Sequence, residues 1–245
     1  MSEPIADDNG QRRHAALQRT TLAEQIEMQL KDQIISNELR PGDAMPSSFD
    51  LAAQFGVSRT IVREALKSLQ AKGLIDIANG KRATVKPIDS GVLSDFFDRF
   101  SGTHQEVVIE LLELRRGVEV QAAGMAARRR TSEDMDELWR LIRAMGTAEG
   151  NVDAFIDIDF QLHLAIVSAA KNRMMYFLYD SIRAASRDTM REGFVRHPYW
   201  TNIHASHISL VMFIDAGDAA AAEACMGAHL DDAMAGVRTP TRLVR

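Results

Sequence analysis

Cysteine is almost absent from this chain, since Cys225 is the only one among its 245 residues. A fold stapled by internal disulfide bonds is therefore excluded, and the composition is typical of a reducing cytoplasm. Long apolar runs are absent too, and none approaches the roughly 20 residues that a membrane-spanning helix needs. The acidic, polar residues 1–10 have neither the basic start nor the apolar core of a secretory signal. We expect a cytoplasmic protein that does not associate with membranes.

An overall excess of basic charge is also lacking, because the formal net charge is −5. The charge is unevenly distributed, however: residues 10–86 contain 12 Lys and Arg against 8 Asp and Glu, whereas residues 87–245 contain 17 against 23. A mildly basic N-terminal part on an acidic remainder is compatible with DNA contact through one small face. An ordinary fluctuation in composition would give the same count, so charge alone leaves the question open.

Capping residues divide the N-terminal part of the chain into three short helices. Thr21 and Glu24 have the spacing of a capping box, and apolar residues follow them at helical intervals. Ser47 begins a second helix, and Ser58 is a good N-cap for a third, which Gly73 is expected to end. The pattern therefore predicts three helices before residue 74.

A β-hairpin is predicted directly after these helices. Residues 74–78 and 81–86 have the pattern of two short strands, and Asn79-Gly80 lies between them. Asn-Gly is a strong hairpin signal because both residues of that turn must accept a positive φ angle. Three helices followed by a two-stranded wing make a winged helix-turn-helix.

After Pro87 the pattern is helical throughout, with a further capping start at Thr131 and expected breaks at Gly150 and Gly217. Helices of this length joined by short turns predict an all-α helical bundle. The chain is thus expected to be mainly α. Its predicted parts are a flexible N-terminal arm (1–19), a winged helix-turn-helix domain (20–87), a linker or first helix (88–104) and a helical C-terminal domain (105–238).

The start of the third helix is the predicted DNA-reading element. In a helix-turn-helix, the N-terminal residues of the second motif helix approach base edges in the major groove. Arg59 and Arg63 are four apart and share a helix face, and arginine matches guanine bidentately. Neighbouring hydroxyls suit phosphates, and basic wing residues suit salt-sensitive backbone contacts. The predicted DNA contacts are Ser58, Arg59, Thr60, Arg63, Lys81 and Arg82. The alternative is a winged helix whose exposed face binds protein.

Three segments of this region closely resemble the GntR family of bacterial regulators. They are ISNELRPGDAMPS (residues 35–47), FGVSRTIVREAL (55–66) and KGLI (72–75), in the family's order over about sixty residues. The resemblance implies a homodimer on palindromic, double-stranded operator DNA, with residues 58–60 and 63 among the contacts.

Two departures from the family pattern leave the exact operator sequence open. Ser48-Phe49 stands where many relatives have Glu-Arg, whose arginine is also a DNA contact. The wing reads Gly80-Lys-Arg82 where the family usually has Gly-x-Gly.

Four residues of the C-terminal half are candidate metal ligands: Asp159, His163, His207 and His229. Asp159 and His163 are four apart, so one helix face presents a carboxylate and an imidazole together. Three imidazoles and a carboxylate suit Zn²⁺, Ni²⁺ or another first-row divalent ion between the helices of a bundle. The residues alone leave a surface or satisfied core position open for each histidine, and His204 shows how readily such candidates arise.

The C-terminal half also resembles the FCD domain of the FadR-like GntR subfamily, over roughly residues 105–235. The segments that carry the resemblance are LELRRGVE (112–119), DFQLH (159–163) with Asn172 following, SH (206–207) and MGAH (226–229). It implies an all-α bundle with an Asp-His-His-His metal site beneath a ligand pocket, and all four ligand positions are filled here. Zinc is the expected ion, with nickel or manganese as alternatives.

The same resemblance implies that a small organic or sugar acid binds the metal through its carboxylate. Arg115 matches the arginine of the family's Glu-x-Arg stretch and would clamp that acid. The alternative is a structural arginine paired with Glu119 or Glu113. For Asn172 the sequence likewise leaves two roles open: it lines the pocket, or it caps a helix.

The expected function is a sequence-specific transcriptional repressor that the acid releases from its operator. An enzyme is not expected, because the chain has no acid/base motif placed near the metal ligands, no nucleophile elbow and no phosphate loop. The alternatives are a metal-dependent enzyme fused to a DNA-binding module, a metal sensor or regulator with a purely structural metal, and an acyl-CoA sensor. The filled ligand set argues against an acyl-CoA sensor.

Overall fold

The computed structural model describes residues 20–78, 81–99, 105–148, 150–196 and 200–238. The chain divides into two compact units, with the boundary between Ile88 and Asp89. The predicted arm (1–19) and the predicted Asn79-Gly80 turn lie outside the described residues.

The N-terminal unit contains three helices and a two-stranded antiparallel sheet. Its elements are α1 (Leu22–Ile35), α2 (Ser48–Phe55), α3 (Arg59–Ala71), β1 (Ile75–Asp76) and β2 (Thr84–Val85). Ile75 pairs with Val85 and Asp76 with Thr84, and Ala44 forms a further bridge to Thr84. The two strands are shorter than predicted, because only two residue pairs form the ladder.

The helices of this unit begin where their capping residues predict, and α3 ends where Gly73 predicts. Thr21 caps α1 in a capping box with Glu24, and the Ser58 side chain accepts a hydrogen bond at the start of α3. Ser47 caps α2 in the same way as Thr21 caps α1. Gly73 has a φ of +70°, the left-handed conformation that ends a helix.

One apolar core holds these elements together. Its fully buried members come from every helix, from the segment between α1 and α2 and from β1, and each contributes roughly 1.5–3 kcal/mol by leaving water. They include Leu30, Met45, Leu51, Val62, Leu69 and Ile75. A buried polar link joins α1 to α3 as well, since Glu27 accepts hydrogen bonds from Ser68 (2.8 Å) and from the Lys72 ammonium.

The C-terminal unit is all helical in its described residues. Its elements are α4 (Gly91–Asp98), α5 (Gln105–Arg129), α6 (Ser132–Thr147), α7 (Val152–Ala169), α8 (Arg173–Ser181), α9 (Arg183–Arg196), α10 (Trp200–Ala216) and α11 (Ala219–Arg238). Thr131 caps α6 in a capping box, and Gly150 and Gly217 have positive φ angles of +88° and +75° at the predicted breaks. The prediction of a mainly α chain, a winged helix followed by a helical bundle, is confirmed. No helix in the described ranges is both long and apolar enough to cross a bilayer.

Helix α7 lies at the centre of this bundle. It contacts α5, α6, α8 and α9, and it contributes Leu162 and Ile166 to one apolar cluster and Phe160 to a second. Its interior also contains two polar side chains, Asp159 and His163. Burying polar groups costs free energy unless they are paired, so their place on the buried side of this helix marks a site.

Candidate metal centre and DNA-reading face

Three histidines from three helices converge inside the C-terminal unit. His163 lies on α7, His207 on α10 and His229 on α11, and one ring nitrogen from each lies within 4.8 Å of the others. The Nε2 atoms of His163 and His207 are 3.0 Å apart. His207 lies near the middle of α10 and His229 near the middle of α11. The sequence-predicted histidines are thus brought together.

Asp159 completes this group from the turn of α7 before His163. Its Oδ1 atom is 3.4 Å from Nε2 of His207, and its Oδ2 atom is 3.9 Å from Nε2 of His163. Oδ1 is buried and has no hydrogen-bond partner. A buried carboxylate oxygen without a donor is costly, and a cation beside it would remove that cost. The donor set, three imidazoles and one carboxylate, fits a first-row divalent metal.

Burial keeps the imidazoles of His207 and His229 in the neutral form. It lowers the pKa of His207 well below its ordinary value, and the neighbouring His163 adds to the effect. Burial, together with His207, likewise lowers the pKa of His229. Metal ligation requires the neutral ring, so the site is set up for it before any ion arrives.

A buried pair on α5 supports His163 from behind. Nδ1 of His163 pairs with Oε2 of Glu119, and Oε1 of Glu119 accepts a 2.7 Å hydrogen bond from Nε of Arg115. Glu119 is fully buried, and Arg115 is 3% exposed. Burial alone would raise the pKa of Glu119, but the charge of Arg115 and the hydrogen bonds with Arg115 and His163 outweigh it and hold the pKa well below its usual range. With Nδ1 held by a carboxylate, Nε2 of His163 is left to face the other ligands.

The structure therefore pairs Arg115 with Glu119, one of the two partners that the sequence left open. Arg115 belongs to the same buried cluster as the candidate metal ligands, because it bonds to Glu119, which pairs with His163. Tyr179 and the charge of Asp159 also act on its guanidinium. The sequence reasoning missed Glu119 as the partner of His163 and missed Tyr179 altogether. Spacing along the chain indicates neither residue, because Glu119, His163 and Tyr179 lie on three different helices, α5, α7 and α8.

Asn172, the second predicted effector contact, caps helix α8. Its Oδ1 atom accepts hydrogen bonds from the backbone N–H groups of Met174 (3.1 Å) and Met175 (3.3 Å). That is the capping arrangement left open by the sequence, and a role for Asn172 in binding an effector stays a prediction.

The predicted DNA-reading residues lie on an exposed surface of the N-terminal unit. The buried side of α3 carries Val62, Ala65, Leu66 and Leu69, and its polar residues point away from that core. All six predicted contacts are exposed: Ser58, Arg59, Thr60, Arg63, Lys81 and Arg82. The side-chain oxygen of Ser58 accepts a 3.4 Å hydrogen bond from the N–H of Ile61, so its first role is to cap α3.

The wing and helix α2 border this surface. The pKa of Asp50 lies below its ordinary value because Ser47 hydrogen bonds to it, and the nearby charge of Arg82 adds to the effect. Arg82 of the wing therefore lies close to the start of α2. Phe49, which stands at the family's arginine position, is 67% exposed at that same helix start.

Comparison with known proteins matches both halves of the chain to described families. Residues 22–85 match "Bacterial regulatory proteins, gntR family", and residues 110–232 match the FCD domain. The transcriptional regulator LutR of Bacillus subtilis is 32% identical over 80% of this chain and 92% of its own length. The transcriptional repressor NanR of Escherichia coli K12 is 28% identical over 91% of this chain and 87% of its own length.

A solved structure supports the same fold. The Streptococcus agalactiae GntR structure has a TM-score of 0.70 at 20% identity and covers 87% of this chain and 99% of its own. At that identity the similarity shows the fold alone. The matched families and relatives are transcription regulators, so the expectation that this chain is not an enzyme is confirmed by the comparisons.

Proposed function

Since the chain belongs to the GntR family of bacterial regulatory proteins and carries an FCD domain, we propose that it is a metal-dependent, acid-responsive repressor. The winged helix binds operator DNA as a homodimer. A small carboxylate binds at a divalent ion held by Asp159, His163, His207 and His229, and it lowers the affinity for the operator. The observation that carries this proposal is the convergence of three histidines and an unpaired carboxylate oxygen inside the helical unit.

The exposed face of α3 supports the DNA-binding part of the proposal. Arg59 and Arg63 project from one side of the helix while the opposite side packs into the core. This arrangement leaves both guanidinium groups available for base edges in the major groove. The relative NanR is named a repressor, which supports repression as the direction of control. A palindromic operator follows from the two-fold symmetry of the proposed dimer.

The charges around the metal ligands favour a monoanionic effector. Arg115 carries one positive charge, and Glu119 and Asp159 carry one negative charge each, so the cluster has a formal charge of −1 when its histidines are neutral. A divalent ion changes that sum to +1, and one carboxylate then neutralises it. The ion would supply a Lewis acid for a carboxylate oxygen. Binding of the acid therefore depends on binding of the metal.

Thermal unfolding of the full-length protein tests the metal and the acid together. The purified protein is loaded with Zn²⁺ and melted with acetate, pyruvate, glucuronate, succinate or citrate, before and after chelation. We expect a monoanion to raise the melting temperature of the metal-loaded protein and to have no effect after chelation or in His207→Ala. Zinc and manganese loading are compared in parallel, and Glu113→Gln, a change at an exposed residue, is the matched control.

The alternative of a purely structural metal predicts a different pattern. Chelation alone would lower the melting temperature, and every acid would leave the metal-loaded protein unchanged. That result would contradict the acid-responsive part of the proposal and leave the DNA-binding part standing.

A further inference from the structure

The hydroxyl of Tyr179 is a buried donor without an acceptor. The side chain is completely buried on α8, and its Oη atom has no hydrogen-bond partner among the described residues. A hydroxyl in that position costs free energy, because it has left water and gained no bond. The usual explanation for such a group in a folded protein is a ligand or a water molecule.

The ring of Tyr179 is held so that the hydroxyl cannot turn towards solvent. It stacks on Phe160 of α7, with ring centroids 5.3 Å apart and an angle of 12° between the planes. Arg183 covers Phe160, with its guanidinium carbon 5.3 Å from the ring centroid. Close packing on a fixed aromatic pair limits the ring to one orientation.

The fixed hydroxyl lies among the charged groups of the metal centre. The side chain packs in one apolar cluster with Phe160 and Val118, which adjoin Asp159 and Glu119 in the sequence. Burial raises the pKa of Tyr179 well above its ordinary value; the charges of Arg115, Glu119 and Asp159 act on it, and Glu119 also acts as a neighbouring hydrogen-bond acceptor. Glu119 already accepts from Arg115 and pairs with His163, and the hydroxyl of Tyr179 forms no hydrogen bond with it. The second unpaired oxygen in this cluster, Oδ1 of Asp159, is one of the proposed metal ligands.

We propose that Tyr179 binds the effector, by donating a hydrogen bond from its hydroxyl to an oxygen of the effector carboxylate. A carboxylate only accepts hydrogen bonds, so it supplies what a buried donor beside the metal centre needs. The inference rests on the proposed function, because it assumes that an acid binds at the metal. It adds a residue from α8 that selects acids over neutral molecules of the same shape.

The test is Tyr179→Phe, which removes the hydroxyl and keeps the stacked ring. Isothermal titration calorimetry of the zinc-loaded, full-length protein measures the affinity for the acid that gives the largest shift in the panel above. We expect the affinity of Tyr179→Phe for this acid to fall about tenfold or more, as for loss of a hydrogen bond to a charged group. Affinity for Zn²⁺ alone and the melting temperature without acid stay at the wild-type values or rise. Tyr176→Phe makes the same chemical change one turn earlier on α8 and serves as the control.

Three results would overturn the inference, and they are distinguishable. Equal affinity of Tyr179→Phe and wild type for the acid shows that the hydroxyl binds something else, such as water, and leaves the proposed function intact. A lower melting temperature of Tyr179→Phe without acid shows that the hydroxyl is already satisfied inside the protein. A wild-type protein that responds to no acid in the panel refutes the proposed effector class, and the role of Tyr179 falls with it.

Discussion

The substitution Glu119→Gln replaces one of two buried acceptor oxygens by an amide that donates. In the native chain Oε1 of Glu119 accepts from Arg115 and Oε2 pairs with Nδ1 of His163, so both donors depend on this carboxylate. Glutamine has one acceptor oxygen, and one of the two donors must lose its partner. If His163 loses it, the ring is no longer fixed for ligation. Removal of such a partner typically reduces metal affinity 10–100-fold, or about 1.4–2.7 kcal/mol.

The same substitution leaves the guanidinium of Arg115 buried without its counter-charge. Arg115 is 3% exposed, and breaking one partner of a buried ion pair typically costs about 3–5 kcal/mol of folding free energy. Glutamine keeps the shape and one acceptor, so we expect a loss towards the lower end, near 3 kcal/mol. Urea unfolding of the metal-free protein measures this loss, and competition with a chromophoric zinc chelator measures the metal affinity.

Glu113→Gln is the matched control for both measurements. Glu113 lies on the same helix but is 60% exposed, and its ion pair with Nη2 of Arg238 spans 4.0 Å. The control should change stability by less than about 0.5 kcal/mol and leave zinc affinity unchanged. Wild-type zinc affinity in Glu119→Gln would refute the reasoning that the α5 pair positions His163.

Further predictions concern the DNA-reading face and the stability of each unit. Arg59→Ala should weaken specific operator binding by about 1–3 kcal/mol and relax selection at one base pair, as measured by selection from randomised DNA; unchanged selection would exclude a base contact. Lys81→Ala should weaken binding to all sequences and reduce the slope of affinity against salt by about 1; an unchanged slope would place Lys81 away from phosphate. Glu27→Gln should cost about 1 kcal/mol at pH 7, because hydrogen bonds from Lys72 and Ser68 lower the pKa of Glu27 in the folded state. That contribution to stability is present above the ordinary pKa of 4.5 and is lost as the pH falls through the lower pKa of the folded state. Wild type and Glu27→Gln should therefore have equal stability in strong acid. A difference that persists there would contradict the role given to the Glu27 carboxylate. Thr131→Ala should cost about 1 kcal/mol by removing the cap of α6, and an unchanged urea midpoint would show that the capping box contributes little.

The sequence was most informative where structure depends on near neighbours. Capping boxes at Thr21 and Thr131 fixed the starts of α1 and α6, because each box closes within three residues. Glycines with a positive φ angle, such as Gly73 and Gly217, likewise mark helix ends through the conformation of a single residue. The wing was predicted correctly in kind but too long, because strand length depends on pairing across the hairpin and not on either strand alone.

In the candidate site too, contacts between near neighbours could be predicted and contacts between distant residues could not. The four-residue spacing of Asp159 and His163 predicts that they share a helix face. Only the resemblance to the FCD domain implies that His207 and His229 join them in a metal site. The Glu119–His163 pair joins residues 44 apart on α5 and α7. No periodicity predicts that contact, and the packing of the bundle decides it. Tyr179 was overlooked for the same reason, since a tyrosine on a short helix has no sequence signal for an unpaired hydroxyl.

Operator release by the acid tests the central proposal most directly. Fluorescence anisotropy of the metal-loaded, full-length protein on an operator selected from randomised DNA measures affinity as the most stabilising acid is added. We predict that the operator dissociation constant rises by a factor of about 5–150, the usual range of allosteric coupling, and that chelation or His207→Ala abolishes the response. An equal rise after chelation, or no rise at a saturating acid concentration, would contradict a metal-anchored acid effector.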